Sequence, residues 1–470
     1  MRKTKIVCTI GPASDSREVL VGLCRGGMNV ARLNFSHGVH DDHERRINLI
    51  KEVRAELGLP IAIMLDTKGP EYRIGIFEHG KVTLAEGDRF TFTTEDIIGD
   101  ETRVSVSYKR LTDELLAGDA ILLNNGLLSF TVEKIEGCDI ICRVVSGGEL
   151  SDRKSMSFPG KVMKQKYLSE TDKADIAFGI SHGVDYIACS FVSCKQDLVD
   201  VRNYIEEIGG SDVELIAKIE NQSGFDNIEE ICRCCDGIMI ARGDMGVEVP
   251  FEQLPAIQKK LITKCRMLGK RVITATEMLE SMINNPRPTR AEISDVANAV
   301  YDGTSAIMLS GETAAGKYPI LALETMAKIA ETTEENINYK KRFYTSDFQI
   351  KNSVDAISHS TCGVSIDLSA KAIVACSLSG MTARMVSRHR PPVAIIGLTT
   401  DERTWHRLSL SWGVIPAMCE KYTSTDVLFY MAKSIAKKEL SLRRGDRVVI
   451  TGGNTSGQSG TTSLIKIEEI

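Results

Sequence analysis

The sequence predicts an α/β protein: a (β/α)8 TIM barrel, a small β-barrel domain inserted into it, and an open α/β domain after it. Eight short apolar segments alternate with amphipathic helical segments up to about residue 337. Between residues 70 and 162 the alternation gives way to strand-like segments separated by turns, and it begins again after a polar connector at 340–352. Apolar runs that alternate with helices are typical of a parallel sheet covered on both faces, and eight such units close a barrel.

The barrel prediction depends on eight apolar runs, most of them followed by a helical pattern. The predicted strands are 5–10, 29–35, 61–67, 186–191, 214–220, 237–242, 271–276 and 306–310. The predicted helices between them include 45–57, 197–208, 225–234, 254–268 and 290–300. We therefore expect residues 1–70 and 163–340 to form the two parts of the barrel.

Two further domains are predicted. Residues 71–162 contain six strand-like runs with no helix between them, which indicates an inserted β-barrel lid domain flanked by the hinges Gly69-Pro70 and Pro159-Gly160. Residues 350–470 are predicted to form a C-terminal α/β effector domain. Its predicted helices are 354–366, 382–388 and 401–410, and its predicted strands are 372–376, 393–398 and 447–451.

The composition argues against several classes of function. The formal net charge is −5, from 58 basic and 63 acidic residues, so no basic excess marks a surface for nucleic acid or an anionic membrane. No apolar run approaches the roughly 18 residues of a spanning helix, and the apolar start of the chain is too short for a secretory signal. The 13 cysteines are odd in number and scattered, which indicates reduced thiols and a cytoplasmic protein.

Polar side chains collect at the carboxyl ends of the predicted barrel strands, where β/α-barrel enzymes carry their reacting groups. Lys218 and Glu220 lie two residues apart in an apolar run and so share one face of a strand, which is costly unless function requires it. The other strand ends supply Arg32, Asn34, Ser36, His37, Asp66, Thr67, Lys68, Arg242, Asp244, Thr274, Thr276, Ser310 and Glu312. This set predicts an active site at that rim of the barrel.

The residue types at the rim predict the chemistry. Glu220 and Asp244 come from neighbouring strands and form the kind of two-carboxylate site in which Mg²⁺ also binds phosphate oxygens. Lys218 and Arg32 are fixed positive charges suited to a phosphoryl group in transfer. Gly243 allows the backbone to approach an anion closely. The residues whose oxygens can hold a monovalent cation are Asn34, Ser36, Asp66 and Thr67. The predicted reaction is magnesium-dependent phosphoryl transfer.

Six sequence motifs resemble those of the pyruvate kinase family, and the resemblance extends over essentially the whole chain. The motifs are GMNVARLNFSH at 27–37, LDTKGPE at 65–71, AKIEN at 217–221, IARGD at 240–244, NPRPTRAE at 285–292 and MLSGET at 308–313. Each motif alone is moderately specific, and together they are highly specific. The resemblance implies transfer of the phosphoryl group of phosphoenolpyruvate to ADP, giving pyruvate and ATP, the last step of glycolysis.

The resemblance also implies cofactors, partners and residue roles. The cofactors are Mg²⁺ (or Mn²⁺) and K⁺, and the implied assembly is an allosteric homotetramer with a phosphorylated small-molecule effector. The implied catalytic residues are Lys218, Thr276, Arg32 and Ser310. The implied substrate contacts are Arg32, Lys218, Gly243, Asp244 and Thr276, and the implied nucleotide contacts are Asn34, His37, Arg73 and Lys154. The implied metal ligands are Glu220 and Asp244 for Mg²⁺, and Asn34, Ser36, Asp66 and Thr67 for K⁺.

Two positions bear on how closely this chain follows the family. Family members that need no potassium tend to carry Lys where this chain has Glu71, so we expect K⁺ to activate this enzyme. The inserted domain of the family usually presents an Asp-Asp-Gly turn to the nucleotide, whereas this chain has Asn124-Asn125-Gly126. An amide accepts a hydrogen bond but brings no charge to a metal, so we expect weaker nucleotide binding.

The predicted effector site lies in the C-terminal domain. Its residues are Ser377, Ser379, Gly380, Thr382, Gly460 and Thr461. The first four follow a predicted strand and open a helix, a geometry that binds phosphate on backbone amides and hydroxyls. An arginine that often accompanies fructose 1,6-bisphosphate in relatives is absent near residues 426–428, so the sequence leaves the identity of the effector open, with AMP or a sugar monophosphate equally plausible.

Two other functions remain open on the sequence. A Mg²⁺-dependent lyase or mutase that handles an enolate would share the carboxylate pair, but it would not explain the inserted domain or the third domain. A non-catalytic protein that senses a sugar phosphate would explain the altered Asn124-Asn125 turn. Such a sensor has no use for Lys218, Glu220 and Asp244 together, which favours the kinase.

Overall fold

A computed structural model of the chain describes residues 1–161, 163–210, 212–422, 424–453 and 462–470. The first part of the barrel contains three strands and two helices. These are β1 (Lys5–Thr9), α1 (Arg17–Gly26), β2 (Val30–Asn34), α2 (His40–Leu57) and β3 (Ala62–Asp66). Ser16 caps α1 by accepting a hydrogen bond from the backbone N–H of Val19, and Gly27 ends it in the left-handed conformation.

An all-β segment follows β3, as predicted. Its strands are β4 (Tyr72–Arg73), β5 (Lys81–Leu84), β6 (Arg89–Thr93), β7 (Arg103–Ser105), β8 (Ala120–Leu123), β9 (Leu128–Glu136), β10 (Asp139–Ser146), β11 (Gly148–Ser151) and β12 (Ser155–Ser157). Seven of them form a sheet in the order β4-β12-β8-β9-β10-β6-β7, and β11 pairs with β5. The backbone of Gly75 donates to Ser105 (2.8 Å) and that of Ser107 to Arg73 (2.9 Å). These bonds join the two ends of the sheet, so it curls into a small barrel.

The chain then returns to complete the large barrel. The elements are α3 (Glu170–Ser181), β13 (Tyr186–Cys189), α4 (Lys195–Glu207), β14 (Glu214–Ile219), α5 (Gln222–Asp226), α6 (Ile228–Cys234), β15 (Gly237–Ala241), α7 (Arg242–Glu248), α8 (Leu254–Met267), β16 (Arg271–Ala275), α9 (Arg290–Asp302), β17 (Ala306–Leu309), α10 (Gly311–Ala314) and α11 (Pro319–Glu335). Eight parallel strands close in the order β1-β17-β16-β15-β14-β13-β3-β2. The predicted barrel is confirmed.

The sheet of the C-terminal domain has more strands than the sequence pattern predicts. Its elements are α12 (Tyr339–Thr345), α13 (Ser353–Asp367), β18 (Ala372–Cys376), α14 (Met381–Ser387), β19 (Ala394–Thr399), α15 (Glu402–Leu408), β20 (Val414–Met418), α16 (Thr425–Leu440), β21 (Arg447–Gly452) and β22 (Leu464–Glu469). The sheet order is β20-β19-β18-β21-β22, with β22 antiparallel to β21. The sequence analysis missed β20, α16 and β22. Pro416 interrupts the apolar run of β20, and charged residues alternate with apolar ones through β22.

The core of the barrel has an inner and an outer layer. Successive side chains of a strand point to opposite faces, so Val7 lies inside the barrel while Ile6 and Cys8 pack against the helices. Leu410 of the C-terminal domain belongs to the inner cluster, and the buried hydroxyl of Tyr186 donates to the carbonyl of Arg407. The C-terminal domain therefore covers the amino end of the barrel, and the carboxyl end remains as its open mouth.

All 13 cysteines are free thiols, as the sequence indicates. No helix in the part of the chain that the structure describes has the length and apolar character needed to cross a membrane.

A buried group of charges fastens the C-terminal domain to the barrel. Arg271, at the start of β16, contacts Glu214, at the start of β14, with 2.5 Å between Nη1 and Oε2. Arg384 of α14 approaches the other oxygen of the same carboxylate at 3.2 Å. The two arginine charges outweigh the effect of burial, which alone would raise the pKa of Glu214, and hold that pKa below its usual value. Glu214 therefore stays ionised between two cations.

We expect Arg271→Met to lower the free energy of unfolding by about 3 kcal/mol, because it leaves a buried carboxylate with one of its two partners. The measurement is the midpoint of urea-induced unfolding followed by circular dichroism. Arg403→Met is the control, since Arg403 and Asp212 form an ion pair with side chains 63% and 67% exposed. Breaking that pair should cost less than about 1 kcal/mol. Equal midpoints for the two variants would contradict the assignment.

Candidate active site

Lys218 lies at the centre of the site, at the carboxyl end of β14. Its ammonium nitrogen is 2.6 Å from the hydroxyl of Ser190, 3.0 Å from Oδ1 of Asp66 and 3.1 Å from Oε1 of Glu220. The second oxygen of Asp66 accepts a hydrogen bond of 2.6 Å from Nε of Arg32. Asp66 and Glu220 are fully buried. One carboxylate therefore holds both cations, and the sequence analysis had assigned Asp66 to the potassium set alone.

The charges of Arg32, Asp66, Lys218 and Glu220 neutralise one another only in part. Burial would raise the pKa of Asp66, but Arg32 and Lys218 outweigh it and lower that pKa below its usual value. Burial opposes the charge of Lys218, yet Asp66 and Glu220 raise its pKa above its usual value. Burial, together with the charges of Asp244 and Asp66, raises the pKa of Glu220 to about 7, although Lys218 and the backbone N–H of Phe191 lower it. Asp66, Lys218 and Arg32 form a charged set, and Glu220 is left with an incomplete complement of positive charge.

Glu220 and Asp244 fit a divalent cation. Oε2 of Glu220 accepts the backbone N–H of Phe191 at 2.6 Å, whereas Oε1 contacts Lys218 without a hydrogen bond. Asp244 is exposed in the first turn of α7, on the neighbouring strand unit. Among the described residues, no three acidic, histidine or cysteine side chains gather as a complete metal site. A hard cation such as Mg²⁺, which keeps water and substrate oxygens in its shell, suits two carboxylates of this kind.

The turn after β16 presents Thr276 in a constrained conformation. Thr276 and Glu277 have φ of 67° and 53°, in the left-handed region that branched side chains rarely adopt. The hydroxyl of Thr276 donates to the carbonyl of Ala275 at 2.6 Å and accepts the backbone N–H of Gly243 at 2.8 Å. The turn therefore ties the loop after β16 to the loop after β15, where Gly243 and Asp244 lie.

Arg242 holds the turn of Thr276 in place, a role that could not be seen in the sequence. Its guanidinium donates to the carbonyl of Thr276 at 2.6 Å and pairs with Asp295 at 2.7 Å. The sequence placed Arg242 at a strand end, where it resembles a ligand-binding cation. Its side chain is buried instead, so it is a positioning residue for Thr276.

The loop after β17 contains a hydroxyl with unused hydrogen-bonding capacity. The side-chain oxygen of Ser310 is buried and has no hydrogen-bond partner among the described residues. Glu312, which is fully buried, accepts the backbone N–H of Ser310 at 2.7 Å and that of Leu279 at 3.0 Å. Glu312 therefore fixes the loops after β16 and β17 relative to each other and leaves the Ser310 hydroxyl available.

The residues predicted to hold potassium lie at the ends of the adjacent strands β2 and β3. Asn34 and Asp66 face each other in the strand register, and Oδ1 of Asn34 accepts the backbone N–H of Ser36 at 3.1 Å. The hydroxyl of Thr67 accepts the backbone N–H of Ser190 at 3.2 Å. The four residues thus lie on neighbouring stretches of backbone, and the carboxylate of Asp66 also pairs with Arg32 and Lys218.

Glu71 lies at the entrance to the inserted domain, between two cations. It contacts Lys68 at 3.6 Å and pairs closely with Arg73. The other guanidinium nitrogen of Arg73 donates to the carbonyl of Arg153 at 2.6 Å, and the backbone N–H of Ile74 donates to the carbonyl of Lys154 at 3.0 Å. Arg73 and Lys154, both predicted nucleotide contacts, are therefore neighbours, while His37 is exposed on the loop after β2.

The lid closes a cavity of about 250 Å³ over the mouth of the barrel. Asn125, Glu71, Asp244 and Glu248 are among the side chains that line it. Asn124, Asn125 and Gly126 have φ of 51°, 56° and 80°, which forms the turn between β8 and β9. A Cβ on Gly126 would lie 3.7 Å from the side chain of Val247 in α7. The lid turn thus contacts the helix that carries Asp244.

Glu248 is a lid contact that sequence reasoning did not find. Burial raises its pKa, which hydrogen bonds from the side chain of Ser157 and the backbone of Phe158 partly oppose. No motif marks this residue, because its partners lie about ninety positions earlier in the chain. It joins α7 of the barrel to the last strand of the lid.

Comparison with known proteins identifies the family. The family model for the pyruvate kinase barrel domain matches residues 1–323, and the model for the pyruvate kinase alpha/beta domain matches residues 355–468. The chain belongs to the pyruvate kinase family. The pyruvate kinase of Clostridium acetobutylicum is 45% identical over the full length of both chains. That of Bacillus licheniformis is 47% identical over 99% of this chain and 80% of its own.

The fold of a solved pyruvate kinase agrees with this assignment. The crystal structure of a pyruvate kinase from Cryptosporidium parvum matches with a TM-score of 0.94 and 37% identity, covering 100% of this chain and 96% of that one. Because the match covers the whole chain, it includes the barrel, the inserted domain and the C-terminal domain.

The predicted effector residues are only partly described. Ser377, Ser379 and Gly380 lie between β18 and α14, where Gly380 has a φ of 74°, and Thr382 is the second residue of α14. The hydroxyl of Thr382 is 2.7 Å from that of Thr462. Gly460 and Thr461 lie outside the described residues, so the effector site stays a prediction.

Proposed function

We propose that this enzyme transfers the phosphoryl group of phosphoenolpyruvate to ADP, with Mg²⁺ (or Mn²⁺) and K⁺ as cofactors. The chain is a phosphotransferase of the pyruvate kinase family. The observation that carries the proposal is the Lys218 ammonium, fixed between Asp66 and Glu220 beside Arg32. Two oriented cations at the open end of a barrel suit a group whose oxygens carry negative charge.

Arg32 and Lys218 would bind and orient the phosphoryl group. Their side chains are already held by Asp66, so little reorganisation is needed when the phosphoryl group moves from the substrate oxygen to the nucleotide. Lys218 would also stabilise the enolate oxygen that remains after transfer. A divalent cation on Glu220 and Asp244 would supply further positive charge to the phosphoryl oxygens.

Protonation of the enolate completes the reaction. Thr276 would contact the substrate carboxylate near the face where the methyl carbon receives its proton. The unpartnered hydroxyl of Ser310 suits a relay that delivers this proton, since it can donate and accept without breaking an existing bond. Arg242 holds the backbone of Thr276 in place, and Glu312 holds that of Ser310. These fixed positions support the proposed roles.

The lid supports the proposal because phosphoryl transfer requires that water be kept from the phosphoryl group. Its contacts with α7, through Glu248 and Val247, enclose the cavity that Asp244 lines. Nucleotide contacts are proposed for Asn34, His37, Arg73 and Lys154. Closure of such a lid also strengthens the electrostatic interactions inside the site.

Potassium activation is proposed from Asn34, Ser36, Asp66 and Thr67 together with Glu71. A homotetramer, a phosphorylated effector bound near Ser377, a cytoplasmic location and a place in glycolysis are proposed from the family resemblance. The lyase and the non-catalytic sensor are less well supported, since the whole length of the chain matches kinases.

Lys218→Met should reduce pyruvate formation from phosphoenolpyruvate and ADP by at least about 10³-fold, because it removes the positive charge that stabilises the transition state. The assay follows pyruvate with saturating substrates, Mg²⁺ and K⁺. Lys260→Met, which changes an exposed lysine on α8, is the matched control and should keep full activity. A Lys218→Met protein with native circular dichroism and undiminished activity would refute the assignment.

Potassium dependence can be tested by salt substitution. In tetramethylammonium buffer free of K⁺ and Na⁺, we expect activity to fall by at least about tenfold, or ~1.4 kcal/mol of transition-state stabilisation, and to return with added K⁺. Glu71→Lys should weaken this dependence, because an ammonium group would replace the charge of the ion. Full activity of the unaltered enzyme in tetramethylammonium would show that the Glu71 argument is wrong.

Asn125→Asp should lower the KM for ADP by about 3- to 10-fold with kcat nearly unchanged, because a charged acceptor binds a metal–nucleotide more strongly than an amide. Asn124→Asp is the control, since it places the same charge in the same turn outside the residues that line the cavity. Steady-state kinetics with varied ADP provide the measurement. If both variants leave the KM unaltered, the amide turn does not weaken nucleotide binding.

A further inference from the structure

A small chamber of about 10 Å³ lies where the C-terminal domain packs against the amino end of the barrel. That volume holds a single occupant the size of a water molecule or a small ion. Five cationic side chains line it, namely Lys270, Arg271, Arg384, Arg388 and Arg390. Three serine side chains line it as well, and no carboxylate does so among the described residues.

The carboxylates that neutralise these cations do not line the chamber. Glu214 contacts Arg271 and Arg384, and Asp355 contacts Arg388 at 2.9 Å. Neither Glu214 nor Asp355 is among the lining residues. The chamber itself is therefore surrounded by positive charge.

Arg390 and Lys270 are the two cations of the five for which no carboxylate partner is described, and Arg390 is the more deeply buried. It is 2% exposed and, in the described chain, lies within salt-bridge distance of no carboxylate. Its guanidinium donates instead to the carbonyl of Gly303 at 2.9 Å, the carbonyl of Ser387 at 2.7 Å and the hydroxyl of Ser305 at 3.1 Å. Burial, followed by the charges of Arg266 and Arg342, lowers the pKa of Arg390 well below its usual value. A buried cation without a counter-ion is costly, and a bound anion would offset that cost.

Donors at the chamber also lack acceptors. Nε of Arg384 is buried and has no hydrogen-bond partner within the described residues. The hydroxyl of Ser411 accepts Nε of Arg271 at 3.1 Å, which leaves its own proton available. A water molecule would need acceptors for its two protons, whereas an anion only accepts. The lining, composed chiefly of donors, favours an anion.

We propose that this chamber binds one small monovalent anion of the halide class. The anion bridges the barrel, through Arg271 and Ser305, and the C-terminal domain, through Arg384 and Arg390. A phosphate ester is too large for the volume, so this site is separate from the predicted effector site beyond β18. Chloride is monovalent and monatomic, the kind of anion that so small a chamber favours.

Bromide provides a direct test on the unaltered protein. Crystals grown in potassium bromide should show an anomalous peak in the chamber, within contact distance of the guanidinium groups of Arg384 and Arg390. Ordered density without an anomalous signal would identify a water and overturn the proposal. An empty chamber would overturn it as well.

Thermal unfolding provides a test in solution. The midpoint in potassium chloride should exceed that in potassium gluconate of equal ionic strength by about 2–3 °C, because a ligand that binds only the folded state stabilises it. Arg390→Met and Ser411→Val, which remove charge from the chamber or fill it, should lose this difference. Arg403→Met, an exposed arginine of the same domain, should retain it.

The outcome of the two tests decides the proposal even if Arg390→Met does not fold. Ser411→Val then provides the variant, and the bromide experiment needs none. Equal midpoints in the two salts for the unaltered protein, or a chloride effect that persists undiminished in Ser411→Val, would overturn the anion site.

Discussion

The buried carboxylate of Asp66 is the constraint on which the active site depends. Its two oxygens bind Arg32 and Lys218 separately, at 2.6 and 3.0 Å, so both cations are fixed before any substrate arrives. Without Asp66, two like charges would face each other in a site with little water. A shared anion is the simplest arrangement that keeps both cations ionised and oriented, and it leaves Glu220 incompletely neutralised for a metal ion.

The barrel makes this arrangement possible because one of its ends is covered by the C-terminal domain and the other is open. At the amino end, Leu410 and the contact from Tyr186 to Arg407 fill the opening with groups from the C-terminal domain. At the carboxyl end, the strands finish in charged or hydroxyl side chains below a separate lid. A single closed sheet thus separates the surface that joins the domains from the surface where the reaction is proposed to take place.

Much of this organisation could be predicted from the sequence, since it depends on local patterns. The eight apolar runs predict the barrel, and the two-residue spacing of Lys218 and Glu220 predicts that both point into the site. The sharing of Asp66 and the positioning roles of Arg242 and Glu312 could not be predicted, because each depends on at least one partner that is distant in the chain. The strands β20 and β22 were missed because their burial is incomplete and their patterns are weak.

Strand β14 connects the two ends of the molecule. Glu214 at its start is held by Arg271 and Arg384, and Lys218 near its end is held by Asp66 and Glu220. The two charged positions are four residues apart along the extended chain, a distance of about 13 Å. A strand hydrogen-bonded on both sides cannot slide by one residue without turning Lys218 away from the site, because successive side chains alternate in direction. The charges that join the domains therefore also help to fix the register in which Lys218, the proposed catalytic lysine, faces the mouth of the barrel.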